Sequence, residues 1–293
     1  MNYSIENEYL KITVSDLGAE LVSVVSKKDG CEYLWTGDGK YWGSHAPLLF
    51  PFCCRSYGGY YTYSGRQYFM GCHGFARKTV YPKVKTAEDY ISMTLLPTDA
   101  TRDAYPFNFS FNVTYKLKGD AVETLMLVRN LDDDETIYFA LGGHPGFNVP
   151  LDNGSFEDWY VEFASECAPK QIIFTDTCFR TKDLADYHLE DGKIIRLNHS
   201  LFDNDAIFLQ DTCGEVTLKS AKSEKSVTVK YPALKYLGFW HSPKTEAPFV
   251  CIEPMNGLPS YDGKVDDITT KSDMIALKAG DSYTSAYTMT FKG

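Results

Sequence analysis

Apolar and polar residues alternate with a period of two along most of this chain. Leu10, Ile12 and Val14 share one side of a short segment, with Lys11 and Thr13 on the other. That spacing predicts a half-buried β-strand. Similar runs occupy Glu20–Ser26, Ser110–Leu117, Thr124–Val128, Thr136–Leu141, Trp159–Phe163, Glu215–Lys219, Ser226–Lys230 and Tyr283–Phe291. Between them stand turn signals: Asp16-Leu17-Gly18, Lys28-Asp29-Gly30, Lys118-Gly119-Asp120, Glu190-Asp191-Gly192 and Ala279-Gly280-Asp281. No stretch carries a long amphipathic helix; Phe179–Asp186 and Ser200–Asp203 are read at most as short turns. Many short strands with regular turns predict an all-β chain built as a large β-sandwich. With no low-complexity linker, hinge or repeat, residues 1–293 are expected to form a single domain.

Composition sharpens this picture at three points. Hydrophobic residues make up 44%, enough to fill a sizeable core, and 15% aromatic content suits pleated, half-buried surfaces. The net charge of −10 argues against nucleic-acid and anionic-membrane partners, while leaving room for a small anion held by a local arginine. Asp132-Asp133-Asp134-Glu135 reads as a solvated turn between strands. No apolar run approaches the roughly 20 residues of a membrane span, and the first residues lack a signal-peptide pattern. The eight cysteines are therefore read as reduced thiols and the location as cytoplasmic. None forms a CxxC pair or a zinc-ligand cluster, so no metal site is expected.

Three segments break the strand-and-turn rhythm. In Gly71-Cys72-His73-Gly74-Phe75-Ala76-Arg77, glycines crowd a histidine. Such backbone freedom either presents the imidazole to a ligand or makes a tight turn with an exposed histidine. In Gly142-Gly143-His144-Pro145-Gly146, the proline holds His144 extended, so the ring projects from a strand end; a plain turn histidine is the competing reading. In Phe249-Val250-Cys251-Ile252-Glu253-Pro254, Phe249, Cys251 and Glu253 fall on one face and Val250 and Ile252 on the other. A carboxylate ending an apolar run sits either at a solvated strand end or in a lined cleft, where burial would raise its pKa towards that of a useful base. Arg55, after the apolar run Pro47–Cys54, suits a cleft rim or a surface turn. Asp205 opens a strand or caps a turn.

Taken in order, these segments resemble the aldose 1-epimerase (galactose mutarotase-like) family, in particular its LacX-like branch. The resemblance is carried by Tyr33-Leu34-Trp35-Thr36-Gly37-Asp38, Tyr41-Trp42, Pro47-Leu48-Leu49-Phe50-Pro51 leading to Arg55, and His73-Gly74-Phe75-Ala76-Arg77. It continues through Tyr105-Pro106-Phe107, Gly143-His144-Pro145-Gly146-Phe147, Asn204-Asp205-Ala206 and Cys251-Ile252-Glu253-Pro254. It implies a β-supersandwich with an open cleft for one pyranose, and no metal or organic cofactor. It also implies Glu253 as general base, His144 as acid at the ring oxygen, His73 as the histidine that polarises the sugar, and Arg55 and Asp205 as hydroxyl-binding residues. Two departures stand out: Met255 replaces a frequent tryptophan, and Phe52-Cys53-Cys54 replaces a segment commonly richer in small residues.

Opening a hemiacetal needs one proton removed from the anomeric hydroxyl and one delivered to the ring oxygen, work suited to a carboxylate and an imidazole. The expected resting state has Glu253 ionised and His144 protonated. Trp240, Phe147 and Tyr57 are candidate flat surfaces for the sugar. A hexose-6-phosphate 1-epimerase is the alternative enzyme, with Arg55, Arg77 and Lys78 recognising a phosphate dianion; Arg77 is accordingly counted with the substrate-binding residues. A non-catalytic sugar-binding protein is the alternative from another class. The expected partner is a small sugar, and the expected state a monomer or homodimer.

Overall fold

The alternating runs become strands, and the strands assemble into two large antiparallel sheets in the computed structural model, which describes residues 1–293. One sheet has nine strands, in the order 194–196, 159–163, 215–220, 226–230, 282–292, 121–130, 109–118, 90–95 and 83–86. The other runs 180–186, 170–174, 207–210, 236–240, 249–255, 142–143 and 48–49, with Gly146–Asn148 pairing alongside Phe249–Met255. Smaller sheets are formed by residues 2–26, by Tyr60–Phe69 with Asp266–Asp267, and by Ile137–Phe139 with Ile275–Leu277.

The inward faces of the two large sheets share one core of 61 buried apolar residues. Phe111, Val113 and Met126 of the first meet Leu237, Phe239, Val250 and Ile252 of the second there. A Cβ on Gly143 would lie 2.4 Å from the Tyr287 hydroxyl, so the sheets touch closely enough to exclude a side chain at that point. This is the β-sandwich that the alternation predicts.

The turn signals also hold. Gly18, Gly30, Gly119, Gly192 and Gly280 all adopt positive φ, as a reversal between paired strands requires. The acidic run 132–135 lies between the strands ending at Asn130 and starting at Ile137. Two readings need correction. Arg180–Asp186 is an edge strand and not a turn. The run Thr136–Leu141 keeps only Ile137–Phe139 as strand, because the chain leaves for the smaller sheet before returning at Gly142. A short α-helix, Asp99–Ala104, is capped reciprocally by Thr98 and Thr101, a signal too local for periodicity to find. No helix is long and apolar enough to cross a membrane.

Candidate active site

The second sheet has an outward face, and the chemistry collects there. Along Phe249–Met255, Val250 and Ile252 point into the core, while Phe249 and Cys251 join a separate aromatic cluster on the other side. Glu253 shares that outer face and is 1% exposed. Its register partner is Gly238, whose partner on the next strand is Phe208. The carboxylate therefore stands beside a position with no side chain, in a lined cleft and not at a solvated strand end.

His144 sits between the strands Gly142–Gly143 and Gly146–Asn148, where its backbone N–H donates to the carbonyl of Pro47 at 3.0 Å. The ring is clamped by Trp42, stacked at a centroid distance of 5.0 Å, and by the edge of Trp240 at 5.7 Å. Nε2 comes to 3.2 Å from Oε1 of Glu253. Neither Oε1 of Glu253 nor Nδ1 of His144 completes a hydrogen bond within the protein, so both atoms keep capacity for a ligand.

His73 closes another side of the cleft, its ring 5.4 Å from that of His144. Its Nδ1 accepts from the backbone N–H of Cys54 at 3.1 Å, and its own backbone N–H donates to the Cys54 carbonyl at 2.9 Å. With Nδ1 acting as acceptor, a neutral ring carries its proton on Nε2, as a donor. At the rim, Nη2 of Arg55 lies 3.5 Å from Oδ2 of Asp205, while the indole N–H of Trp240 donates to Oδ1 at 2.7 Å. The thiol of Cys178 donates to the same carboxylate. Arg77 also lines the cleft, its Nε buried without a partner. The cleft has a volume of about 270 Å³.

Glu253, His144, His73, Arg55, Asp205 and Arg77 are thus brought together around one cavity. Lys78 is exposed and does not line it. Among the aromatic candidates, Trp240 lines the cleft, Phe147 is fully buried in the main core, and Tyr57 lies in an adjoining groove. Pattern reading passed over Trp42 as a site residue; the Tyr41-Trp42 motif was its only trace in the sequence. Four of the nine non-glycine residues with positive φ are Cys54, His73, Cys178 and Asp205, all on the cleft wall. Such strained backbone collects where a structure fixes side chains for a ligand. The two family departures pack on each other: Cys54 Sγ and Met255 Sδ are 3.9 Å apart, with Met255 behind the wall. Of the two, only Cys54 reaches the cavity.

Burial sets the proton inventory. It lowers the His144 imidazole from its ordinary 6.5 to about 3 and raises the Glu253 carboxyl well above 4.5, with Asp205 adding to the latter. His73 is driven well below 6.5, first by burial and then by His144 and the two arginines. Both shifts disfavour the charged forms, the Glu253 carboxylate and the His144 imidazolium. These directions run against the expected resting state of an ionised Glu253 beside a protonated His144, because burial penalises both charges. Donor atoms of His144, Cys251 and Glu253 lie within 4.8 Å of one another, a spacing compatible with a metal ion. Burial, and then Glu253, hold the Cys251 thiol well above its ordinary pKa.

Comparison with known proteins identifies the family. The sequence profile of aldose 1-epimerase matches residues 1–290. The chromosomal protein LacX of Lactococcus lactis subsp. lactis is 36% identical over 270 residues, covering 88% of each chain. Among solved structures, a galactose mutarotase related enzyme from Lactobacillus acidophilus superimposes with a TM-score of 0.94 at 34% identity, covering 100% of this chain and 98% of that one. A galactose mutarotase-like protein from Lactobacillus casei gives 0.92 at 32% identity, covering 99% and 100%. A profile match over nearly the whole length, joined to a fold shared with mutarotase-like structures, makes this chain a member of the aldose 1-epimerase family.

Proposed function

We propose that the chain is a mutarotase: it interconverts the α and β anomers of an aldohexose by opening and reclosing the ring, without a cofactor. The observation that carries this reading is the 3.2 Å approach of His144 Nε2 to Glu253 Oε1 on the floor of a sugar-sized cleft. The pair holds one proton and offers two places for it, which is what ring opening demands.

The proton count closes as follows. A cyclic aldose binds with its anomeric hydroxyl at Glu253 and its ring oxygen at His144. The pair's proton passes from the carboxyl to the imidazole across their contact, drawn by the sugar hydroxyl now donating to the carboxylate. Glu253 then takes the anomeric proton while His144 gives its proton to the ring oxygen. The C1–O5 bond breaks, leaving an aldehyde and a C5 hydroxyl. Glu253 is again protonated and His144 neutral, the same tautomer that burial favours in the free cleft. Rotation about C1–C2 and the reverse transfers close the ring on the other face. His73, donating from Nε2, and Arg55, Asp205 and Arg77 hold the remaining hydroxyls.

The test is anomer exchange itself. Polarimetry on freshly dissolved α-glucose and α-galactose should show acceleration that rises with enzyme concentration. Calorimetric sugar binding without such acceleration would replace this reading with a sugar-binding protein. A second reading, a hexose-6-phosphate 1-epimerase, is favoured by the unpartnered Arg77 at the cleft. A strong preference for 6-phosphates in the same assay would select it.

A further inference from the structure

The backbone on either side of the His144 ring is tied to one short segment, His45–Pro47. The N–H of His144 donates to the Pro47 carbonyl at 3.0 Å, and the N–H of Gly146 donates to the His45 carbonyl at 2.8 Å. Just upstream on the same stretch of chain stands Trp42, whose ring stacks on His144. A displacement of this segment therefore carries the imidazole with it, away from Glu253.

A side chain from a distant turn holds the segment. Oε1 of Glu20 accepts from the backbone N–H of His45 at 2.6 Å and from that of Ala46 at 3.1 Å. Hydrogen bonds from N–H groups to a carboxylate are among the stronger ones. The carbonyl of His45 and the N–H of Ala46 belong to one planar trans peptide, in which the two groups point in opposite directions. Glu20 thus grips one edge of the peptide whose other edge receives Gly146. Ala46 is buried, so solvent is a poor replacement for the carboxylate at its N–H.

Glu20 is itself fixed. The buried hydroxyl of Tyr115, from the nine-stranded sheet, donates to the Ala19 carbonyl at 2.8 Å, and the N–H of Gly18 donates to the Thr79 carbonyl at 2.8 Å. Glu20 does not line the cleft.

We infer that Glu20 is a positioning residue for the proton-transfer pair: through the backbone of His45–Pro47 it sets where His144 stands relative to Glu253. This rests on the mutarotase reading above. Glu20 touches neither the sugar nor the reacting atoms.

The experiment measures polarimetric kcat and KM for glucose and galactose in the native protein and in Glu20→Gln, Glu20→Asp and Glu20→Ala, well below each melting temperature. Glutamine keeps an acceptor oxygen at the same reach, whereas aspartate keeps the charge and shortens the reach. Placement and charge are thereby separated. Glu20→Asp and Glu20→Ala should each lower kcat about 10- to 100-fold with KM within about twofold of native, because the loss falls on the geometry of the reacting groups. Glu20→Gln should stay within about threefold of the native kcat. If Glu20→Ala does not fold, the aspartate and glutamine variants decide the matter. Unchanged kcat in Glu20→Asp, a loss in Glu20→Gln as large as in Glu20→Asp, or a loss confined to KM would overturn the inference. If the native protein exchanges no anomers, the mutarotase reading fails, and proton–nitrogen NMR of the His144 ring judges the positioning separately. Ring signals displaced in Glu20→Asp and restored in Glu20→Gln would support it; coincident signals in all the proteins would end it.

Discussion

Gly238 stands directly across from Glu253, and a Cβ on it would lie 3.2 Å from the Glu253 Oε2 and 3.1 Å from the Glu253 Cβ. Both distances are tighter than ordinary contact, so the carboxylate occupies space that the glycine vacates. Gly238→Ala should tilt Glu253 away from His144. Misplacing a reacting group by this order costs up to about 10²-fold in rate. A fall in kcat with cooperative unfolding retained is the expected result; unchanged kcat would show that the gap is incidental.

Glu253→Gln should separate function from stability. Loss of the proton acceptor costs about 10² to 10⁴ in turnover. Because burial raises the carboxyl pKa, the folded protein holds a proton that the unfolded chain releases above 4.5. Native stability on this account is full below 4.5 and is lost as pH rises towards the folded value. Glutamine has no such penalty. Thermal melts of the two proteins should coincide near pH 4.5, and the variant should melt progressively higher as pH increases. A variant less stable at pH 8 than at pH 5, relative to native, contradicts the raised carboxyl.

The two buried histidines work in the opposite direction. His144 is lowered to about 3, and His241 to about 4, in each case mainly by burial. His241 is also fixed between Ser242 O at 2.9 Å and His199 Nδ1 at 3.2 Å. The unfolded chain takes up both protons near 6.5, so stability is full above that pH and falls as pH drops below it. For the reaction, a second proton enters the pair only near pH 3. The kcat/KM profile should therefore stay flat from neutrality down to about pH 5. An acidic limb centred at 6.5 would mean that His144 titrates like an exposed imidazole.

Trp240→Phe removes the indole donor from Asp205 while keeping a ring beside His144. A hydrogen bond to a charged group contributes about 1.5 to 3 kcal/mol. If Asp205 binds a sugar hydroxyl, its loosening should raise KM about tenfold or more and leave kcat within a few-fold. A drop confined to kcat would instead place Trp240 in the proton-transfer step through His144.

The chain's own pattern determined a good deal. Period-two runs such as Trp159–Phe163 and Ser226–Lys230 reappear with the same bounds, because a sheet with one buried face imposes alternation on its residues. The split of Val250 and Ile252 from Cys251 and Glu253 was legible because successive residues of a strand face opposite ways, although all seven residues of Phe249–Met255 are buried, and pre-proline restriction marked His144 and Glu253 as extended. What alternation could not reveal was the strand beside it. Tyr236–Trp240 carries Gly238 and Trp240 into the site, yet four of its five residues are buried and no periodicity marks it. Nor could local sequence show which loops meet over the sheet. His73, Arg55 and Asp205 are separated by long stretches of chain, and their grouping depends on non-local pairing. The direction in which the Glu253 and His144 pKa values move was likewise decided only in three dimensions, because desolvation is a property of the surroundings and not of any single residue.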